Sequence, residues 1–407
     1  MGLIINIDEA LKQHSTYNIL REPLNEMLRE QQEAWERKNP IDMFFKRTTM
    51  DKFQETYSSS IGFNHAFAET SDYAVAPIFN TAEGFSATYR TKTFQGGFII
   101  TQQALEDGQY STIKDTASAF MKRWHADIVE YGLSALDAAF GVKNTKGPTT
   151  FNGLLVSADT ASGAIDDPVK NPLFSNAHTV VKRDDGGTYS FAAKTALNTV
   201  TDAQSNFFYA PINLANLEVA QLADVINQVS TYMENLKDDN NKRAGVLGSK
   251  TIVCGNDAHL LAALNTALSM EMFNDMGHMS GLNPAYKKAT VESSPYLLDL
   301  QRAGKNGFFI IDREYNNANH GLELTERVPL TLNAEKSKNP YGISYDGRQR
   351  FDINVASWRG IAYVSFSTSS TSTDWNYSGK MTTIAPVSAP AKPVTVVGTV
   401  TTTTASA

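Results

Sequence analysis

A cysteine and a histidine five residues apart are the first pair of side chains that could do chemistry. Cys254 and His259 flank a predicted turn from a strand to a helix, and a catalytic cysteine needs such a base together with a third group that orients it. However, Cys254 ends the apolar run Thr251–Cys254, which is typical of a buried strand. We therefore predict a structural thiol rather than a nucleophile.

Ser175 and His178 are a second pair, in the segment Asn171–His178. A serine hydrolase of the α/β type places its nucleophile in a Gly-x-Ser-x-Gly turn, and no such motif surrounds Ser175. The pattern favours a turn held by local hydrogen bonds. A soluble α/β hydrolase that uses both residues is kept as the alternative from another functional class.

Two further kinds of site are weakly indicated. The segment Gly245–Lys250 lacks the spacing and the Gly-Lys-Ser/Thr ending of a phosphate-binding loop. The stretch Met270–Met279 combines thioethers with one imidazole, His278, a set that could bind Cu(I). Methionine also packs well on irregular contact surfaces. We predict no metal and no cofactor here, and a contact surface between subunits that includes Met272, Met276 and Met279.

Lys92 is the remaining candidate for chemistry. An amide cross-link to an asparagine of a neighbouring copy would need an uncharged lysine, and so a buried one, with a carboxylate nearby to move protons. The sequence shows neither condition, and a solvated charge is the ordinary alternative.

Composition limits the classes of function. The chain has 407 residues, a net charge of −7 and one cysteine. A groove that grips nucleic acid by neutralising phosphates usually needs a basic excess, so we expect any contact with DNA to be non-specific. With one cysteine the fold cannot contain an intrachain disulfide. No window approaches eighteen apolar residues and the first residues do not resemble a secretory signal, so we expect a soluble intracellular product.

The elements that would position these residues begin with a charged helical arm, residues 1–48. Its apolar positions recur at helical spacing and include Leu24, Leu28 and Trp35. Because a long hairpin comes directly after it, we expect this stripe to lie on a neighbouring copy of the chain.

Residues 49–105 are predicted to form that hairpin. We place its turn at Asn80–Gly84 and a break in its second strand at Gly96–Gly97. An isolated hairpin is marginal in water, so this one should lean on another surface. The aromatic residues expected to make that contact are Phe79, Phe85, Tyr89 and Phe94.

One long helix dominates the region after the hairpin. The apolar stripe between Ser111 and Gly141 predicts about thirty helical residues, roughly 45 Å, with Ser111 as N-cap. Residues 142–212 are turn-rich. From 213 the pattern alternates helices and short apolar strands, strands return between 331 and 367, and residues 368–407 are a tail rich in Ser, Thr and Pro. The predicted fold class is α+β.

Three segments resemble the phage Mu-like major head subunit family, among the tailed-bacteriophage capsid proteins of the Hong Kong 97-type fold. The first is Phe151–Leu155 with Pro172–Thr179. The second is Lys250–Cys254 with Asn256–Leu261, and the third is Arg348–Asp352 with Ala356–Ile361. In this order they extend the resemblance over about residues 50–366.

The resemblance implies a structural protein rather than an enzyme, built from an N-terminal arm (1–48), an extended hairpin loop (49–105), a peripheral domain with a spine helix (106–212 and 331–367) and an axial domain (213–330). It implies hexamers and pentamers of the chain in an icosahedral or prolate shell around double-stranded DNA. Expected partners are a portal, a separate scaffold and decoration proteins, and assembly would take place in the bacterial cytoplasm before the protein becomes part of the virion. A cargo-carrying, encapsulin-like compartment shell is the related alternative.

Overall fold

The structure, a computed structural model, describes residues 2–13, 15–37, 39–61, 82–139, 173–174, 204–210, 212, 217–237, 243–275, 278–297, 306–338 and 340–366. Helices and strands alternate irregularly, and the described strands form two five-stranded sheets and two separate hairpins. This confirms the predicted α+β class. The predicted tail, 368–407, lies outside the described residues.

The first sheet is organised around a long antiparallel pair. Strands β12 (Leu322–Lys338) and β13 (Tyr341–Val355) pair along most of their length. Strand β5 (Lys92–Thr101) adds to β13, while β1 (Ile4–Ile7) and β2 (Lys46–Thr49) both pair in parallel with β12. We call this the long sheet. Strand β1, which precedes the arm helices, and strand β2, which precedes the hairpin, therefore both pair with β12.

The predicted break at Gly96–Gly97 is wrong, because β5 runs through both glycines. A Cβ atom on Gly97 would come within 2.6 Å of the Tyr345 carbonyl oxygen and 2.8 Å of an Asp346 carboxylate oxygen. Glycine is needed here for close approach to β13 rather than to interrupt the strand.

Helix α4 (Tyr110–Ala138) is the predicted long helix and spans about 44 Å. Its buried residues Ile113, Ala117 and Met121 face the long sheet in a core shared with the arm. The predicted cap is wrong: Ser111 lies inside the helix, and Gln109 precedes it without a side-chain hydrogen bond to the backbone. Gly141, the predicted end, lies outside the described residues.

The arm contains two helices before the chain reaches β2. They are α1 (Glu9–Lys12) and α2 (Ser15–Arg37), and a turn of 3₁₀ helix at Pro40–Met43 comes after them. Helix α2 packs along α4. Helix α3 (Gln102–Glu106) joins β5 to α4.

The second sheet has the order β10-β7-β11-β14-β6, and we call it the central sheet. Its strands β7 (Lys250–Gly255) and β11 (Gly307–Asp312) are buried throughout, as their apolar sequences predict. Helix α6 (Ala258–Ser269) connects β7 to the parallel strand β10 (Ala289–Ser294), and the Asp257 side chain caps it by accepting from the His259 and Leu260 amides. The remaining elements of this unit are α5 (Val219–Glu234), α7 (Arg313–Ala318), β6 (Phe207–Ala210) and β14 (Ile361–Phe366).

Two of the predicted domain limits are wrong. The prediction groups the strand at 361–366 with the returning strands, but β14 pairs with β11 and β6 in the central sheet. The limit at 330 also cuts β12, which is continuous and belongs to the long sheet. A strand's partners depend on residues far away in the chain, so these limits are not visible in local sequence.

The predicted hairpin consists of β3 (Gln54–Ile61) and β4 (Ala82–Arg90). Within the described residues these strands pair only with each other. The predicted turn at Asn80–Gly84 is wrong, because Gly84 lies inside β4 where the register shifts opposite Ser58 and Ser60. The glycine accommodates a bulge in the strand.

Candidate interaction surfaces

The apolar stripe of the arm is buried within its own chain. Leu24 is 1% exposed and Leu28 is fully buried, in a core with α4 and the long sheet that we call the arm core. The Tyr17 and Tyr345 hydroxyls, 2.9 Å apart, also join α2 to β13. The prediction that Leu24 and Leu28 contact another copy is therefore wrong. The partner of the stripe is a groove built by residues roughly 70 to 320 positions further along the chain.

Trp35 is likewise occupied within the chain. Its ring stacks on that of His125 in α4, with centroids 4.6 Å apart and planes 2° from parallel. The neighbouring side chain Gln31 donates a hydrogen bond to Ser118 at 2.7 Å. Helix α4 thus covers one side of Trp35, which is half-buried, and its contact with another copy stays a prediction.

The β3–β4 hairpin touches the rest of the chain at its base. Tyr89 (2% exposed) and Met50 form a small separate core there with Tyr57 and Ala356, which we call the base core. The Tyr89 hydroxyl donates to the His320 carbonyl oxygen at 3.4 Å. Tyr89 thus anchors the hairpin to its own chain, contrary to its predicted contact with another copy.

The other hairpin residues that were predicted to contact another copy differ in how much of them the structure describes. Phe94 lies on β5, not on the hairpin, and its half-buried ring stacks on Phe351 at 4.5 Å, so its contact with another copy stays a prediction. Phe85 lies on β4, but its side chain is outside what the structure describes, as is all of Phe79. Contact with other copies therefore stays a prediction for Phe85 and Phe79.

Lys92 meets one of the two conditions for a cross-link. Its Nζ atom lies 2.8 Å from the Tyr131 hydroxyl and 3.3 Å from a carboxylate oxygen of Asp352. Tyr131 donates to the same carboxylate at 2.6 Å, and burial raises the pKa of Asp352 while the Lys92 charge opposes that shift. The carboxylate is present, but the lysine side chain is 48% exposed, so the required burial is absent.

An exposed apolar surface lies at one end of the central sheet. Met272, at the start of strand β8 (Met272–Asp275), is 56% exposed and pairs directly with Leu282, which ends β9 (His278–Leu282) and is 77% exposed. Met270 (38% exposed) precedes this second hairpin. Asn283 donates to the Met270 and Ala267 carbonyl oxygens at 2.7 and 2.5 Å and so ties the hairpin to the end of α6.

Leu247 belongs to the same end of the sheet by topology. It is 72% exposed and comes just before β7, whose parallel neighbour β10 starts after the hairpin. Because α6 runs back between these two strands, their amino-terminal ends lie together. We call Leu247, Met270, Met272 and Leu282 the end patch. Exposed large apolar side chains at one end of a sheet are candidates for an interaction site.

The predicted methionine contacts are placed only in part. Met272 is in the end patch. Met276 lies outside the described residues, and Met279 lies on β9 with a side chain that is not described. Sequence reasoning misses Leu247 and Leu282, because single leucines beside glycines carry no periodic signal. Met272 and Leu282 become a pair only once the turn between them is known.

The candidates for catalysis are weak in the structure. Cys254 is buried, and burial together with Asp257 raises the pKa of its thiol to about 12, so it is a poor nucleophile. His259 is exposed on α6. Ser175 and His178 lie outside the described residues. Among the described residues, no three His, Cys, Asp or Glu side chains form a group that could hold a metal ion.

The segment Gly245–Lys250, which lacks the pattern of a phosphate-binding loop, has a structural role. Lys250 is 3% exposed and its Nζ atom lies 2.7 Å from a carboxylate oxygen of the fully buried Asp312. The same amine donates to the Val246 and Gly248 carbonyl oxygens at 2.9 and 3.1 Å. This lysine holds the segment before β7 against β11.

No described helix is long and apolar enough to cross a membrane.

Comparison with known proteins finds similar structures among particle shells. No family model and no curated protein matches the chain. A virus-like particle from Pyrococcus furiosus aligns with a TM-score of 0.43 and 8% identity over 84% of this chain and 98% of its own. The capsid of Myoviridae Phage XM1 aligns with 0.42 and 12% over 78% and 86%. The mature capsid of bacteriophage PhiM1 aligns with 0.43 and 9% over 82% and 88%. Because these TM-scores lie below 0.5, we base the function on the contacts of this chain.

Proposed function

We propose that this chain is the major capsid protein of a tailed bacteriophage, a structural subunit of the Hong Kong 97-type fold. Copies of it would assemble into a closed shell around double-stranded DNA. Within that class, the three resembling sequence segments favour the phage Mu-like major head subunits. A portal, a separate scaffold and decoration proteins would be its partners during assembly in the bacterial cytoplasm.

The observation that carries the proposal is the end patch. Four large apolar side chains are 38–77% exposed at one end of a sheet in which β7 and β11 are fully buried. Burying a leucine or methionine side chain is worth roughly 1.5–3 kcal/mol, so covering the patch with its counterpart on other copies would be strongly favourable. A patch that is shared around a rotation axis is covered in every copy at once.

The hairpin supports the same function. Its strands pair only with each other in the described chain, and the base core is the apolar cluster that attaches it there. A two-stranded sheet gains independent stability from a third surface. In a shell every copy has several neighbours, so each contact can be individually weak while the whole is stable.

Assembly of the purified full chain tests the proposal. We expect uniform closed particles by electron microscopy, and we expect Leu282→Asp to reduce their yield at least ~10-fold by placing a charge in the end patch. Thr112→Asp is the matched control, because it adds the same charge at an exposed position in the first turn of α4. A parent chain that stays single-copy at high concentration would overturn the proposal, and normal assembly of Leu282→Asp would exclude the end patch as a contact.

The contents of native particles separate a phage capsid from a cargo compartment. The capsid predicts double-stranded DNA of uniform length inside particles recovered from cells. An encapsulin-like compartment predicts particles that hold a protein cargo and no packaged genome. That second result would keep the shell function and exclude the phage one.

A further inference from the structure

His125 lies in the middle of α4 and faces the arm. It is 7% exposed, its ring is stacked on Trp35, and its Nε2 atom lies 2.9 Å from the Gln32 Oε1 atom. The half of α2 that contains Gln32 and Trp35 lies beyond the arm core, whose α2 members end at Leu28. This half of the arm helix is attached through the contact with His125, the hydrogen bond from Gln31 to Ser118, and packing of Trp35 against the core around the central sheet.

The hydrogen bonds define which proton the histidine carries. Gln32 uses its Nε2 group to donate to Glu36 at 3.1 Å, so its Oε1 atom is the acceptor toward His125. The Nε2 atom of His125 then carries the hydrogen of a neutral ring. A second proton would go to Nδ1 and place a charge on a ring that is 7% exposed.

Charged groups surround this contact on three elements. Glu36 lies on α2, and Arg47 on β2 donates to the Glu36 carbonyl oxygen at 3.4 Å. Glu326 on β12 is linked to α4 through Gln349, which accepts from Trp124 and donates to Glu326, each at 2.8 Å. Glu36 favours a charged histidine, but burial outweighs it and lowers the pKa of His125 from 6.5 to about 4.

We propose that the contact of Trp35 and Gln32 with His125 is a latch that acid opens. A second proton on the buried ring releases the part of α2 that carries Gln32 and Trp35, while the arm core and the Gln31–Ser118 hydrogen bond still hold the first part. The released arm would present Trp35 and the uncovered side of α4 to other molecules. This device concerns a single chain and does not require that the chain forms a shell.

The direction of the pH dependence follows from linkage. The docked histidine has a lower pKa than a free one, so docking is fully stabilised above about pH 6.5 and weakens as the pH falls toward 4. Between pH 7 and pH 5 the equilibrium for docking should shift by roughly twenty-fold toward the released arm.

Backbone hydrogen exchange of the full chain measures this shift. With intrinsic exchange rates corrected for pH, protection of residues 29–37 should fall about twenty-fold between pH 7 and 5. His125→Phe keeps a stacked ring and cannot titrate, so it should lose this pH dependence. His259→Gln, an exposed histidine on α6, should retain it.

Two results would overturn the latch. One is an equal fall in protection in His125→Phe, which would assign the effect to Glu36 or Glu326. The other is a pKa at or above 6.5 for His125, read from its ring protons by NMR in the unmodified protein. The second measurement decides the matter even if His125→Phe fails to fold.

Discussion

The arm and the β3–β4 hairpin both follow strands that pair with β12 of the long sheet, yet the described side chains of the two regions are buried in cores of very different size. Helix α2 shares a core of many residues with α4, β12 and β13. The hairpin shares the four-residue base core. An amphipathic segment therefore does not by itself indicate an intermolecular contact. What decides is whether the same chain supplies a groove opposite the stripe.

The largest expected effect is on the stability of the arm core. Leu28→Ala should destabilise the chain by about 2–5 kcal/mol, because it empties a fully buried site in the arm core. Ile19→Ala on the same helix, at a position 68% exposed, should cost less than about 0.5 kcal/mol. Chemical denaturation followed by circular dichroism measures both.

Cys254 shows whether the loss is local. If the arm detaches alone, the buried thiol in the central sheet stays unreactive toward a thiol reagent at concentrations of denaturant that already expose the arm. Equal costs for Leu28→Ala and Ile19→Ala would mean that the arm is not held by its own chain.

A smaller effect tests the hairpin. Tyr89→Phe removes the hydroxyl that donates to the His320 carbonyl oxygen, which still accepts from the Ala356 and Ser357 amides at 2.9 and 3.2 Å. We expect a loss of about 0.5–1 kcal/mol, confined to the base core. Hydrogen exchange should quicken in β3 and β4 and stay unchanged in α2. Faster exchange in α2 as well would show that the two regions are coupled.

The smallest effect comes from the exposed side of the arm. The Arg37 Nη2 atom lies 3.8 Å from the Glu33 Oε2 atom, one helical turn earlier on α2, and the two side chains are 77% and 70% exposed. Arg37→Ala should change stability by no more than about 0.5 kcal/mol, and the change should disappear in high salt. A salt-independent loss above about 1 kcal/mol would mean that this face of the arm is covered.

Much of the fold can be predicted from local sequence. Strand β7 contains the apolar run Thr251–Cys254 and α4 has a continuous stripe, so each appears where predicted. The failures involve residues that lie opposite one another across long separations. Position 97 requires glycine because the Tyr345 carbonyl oxygen lies close to it. Strand β14 pairs with β11 and β6 rather than with its neighbours in sequence.

The candidate surfaces are harder to predict for the same reason. Exposure is a property of the whole fold, so equally apolar residues such as Leu24 and Leu282 differ only in whether another element covers them. The pairing of Lys92 with Asp352 joins positions 260 residues apart, and no local pattern contains it. Met272 can be placed on an exposed surface from sequence because methionines clustered in an irregular segment already favour a contact.

The position of β14 inside the central sheet has a consequence for synthesis. Strand β6 is made first, but its only partner in the described sheet, β14, emerges roughly 150 residues later, about 8–30 seconds at ordinary ribosome speeds. Until β14 is made, β11 and β6 each lack the partner that will lie between them in the finished sheet. A chain that stops before β14 therefore cannot complete the central sheet.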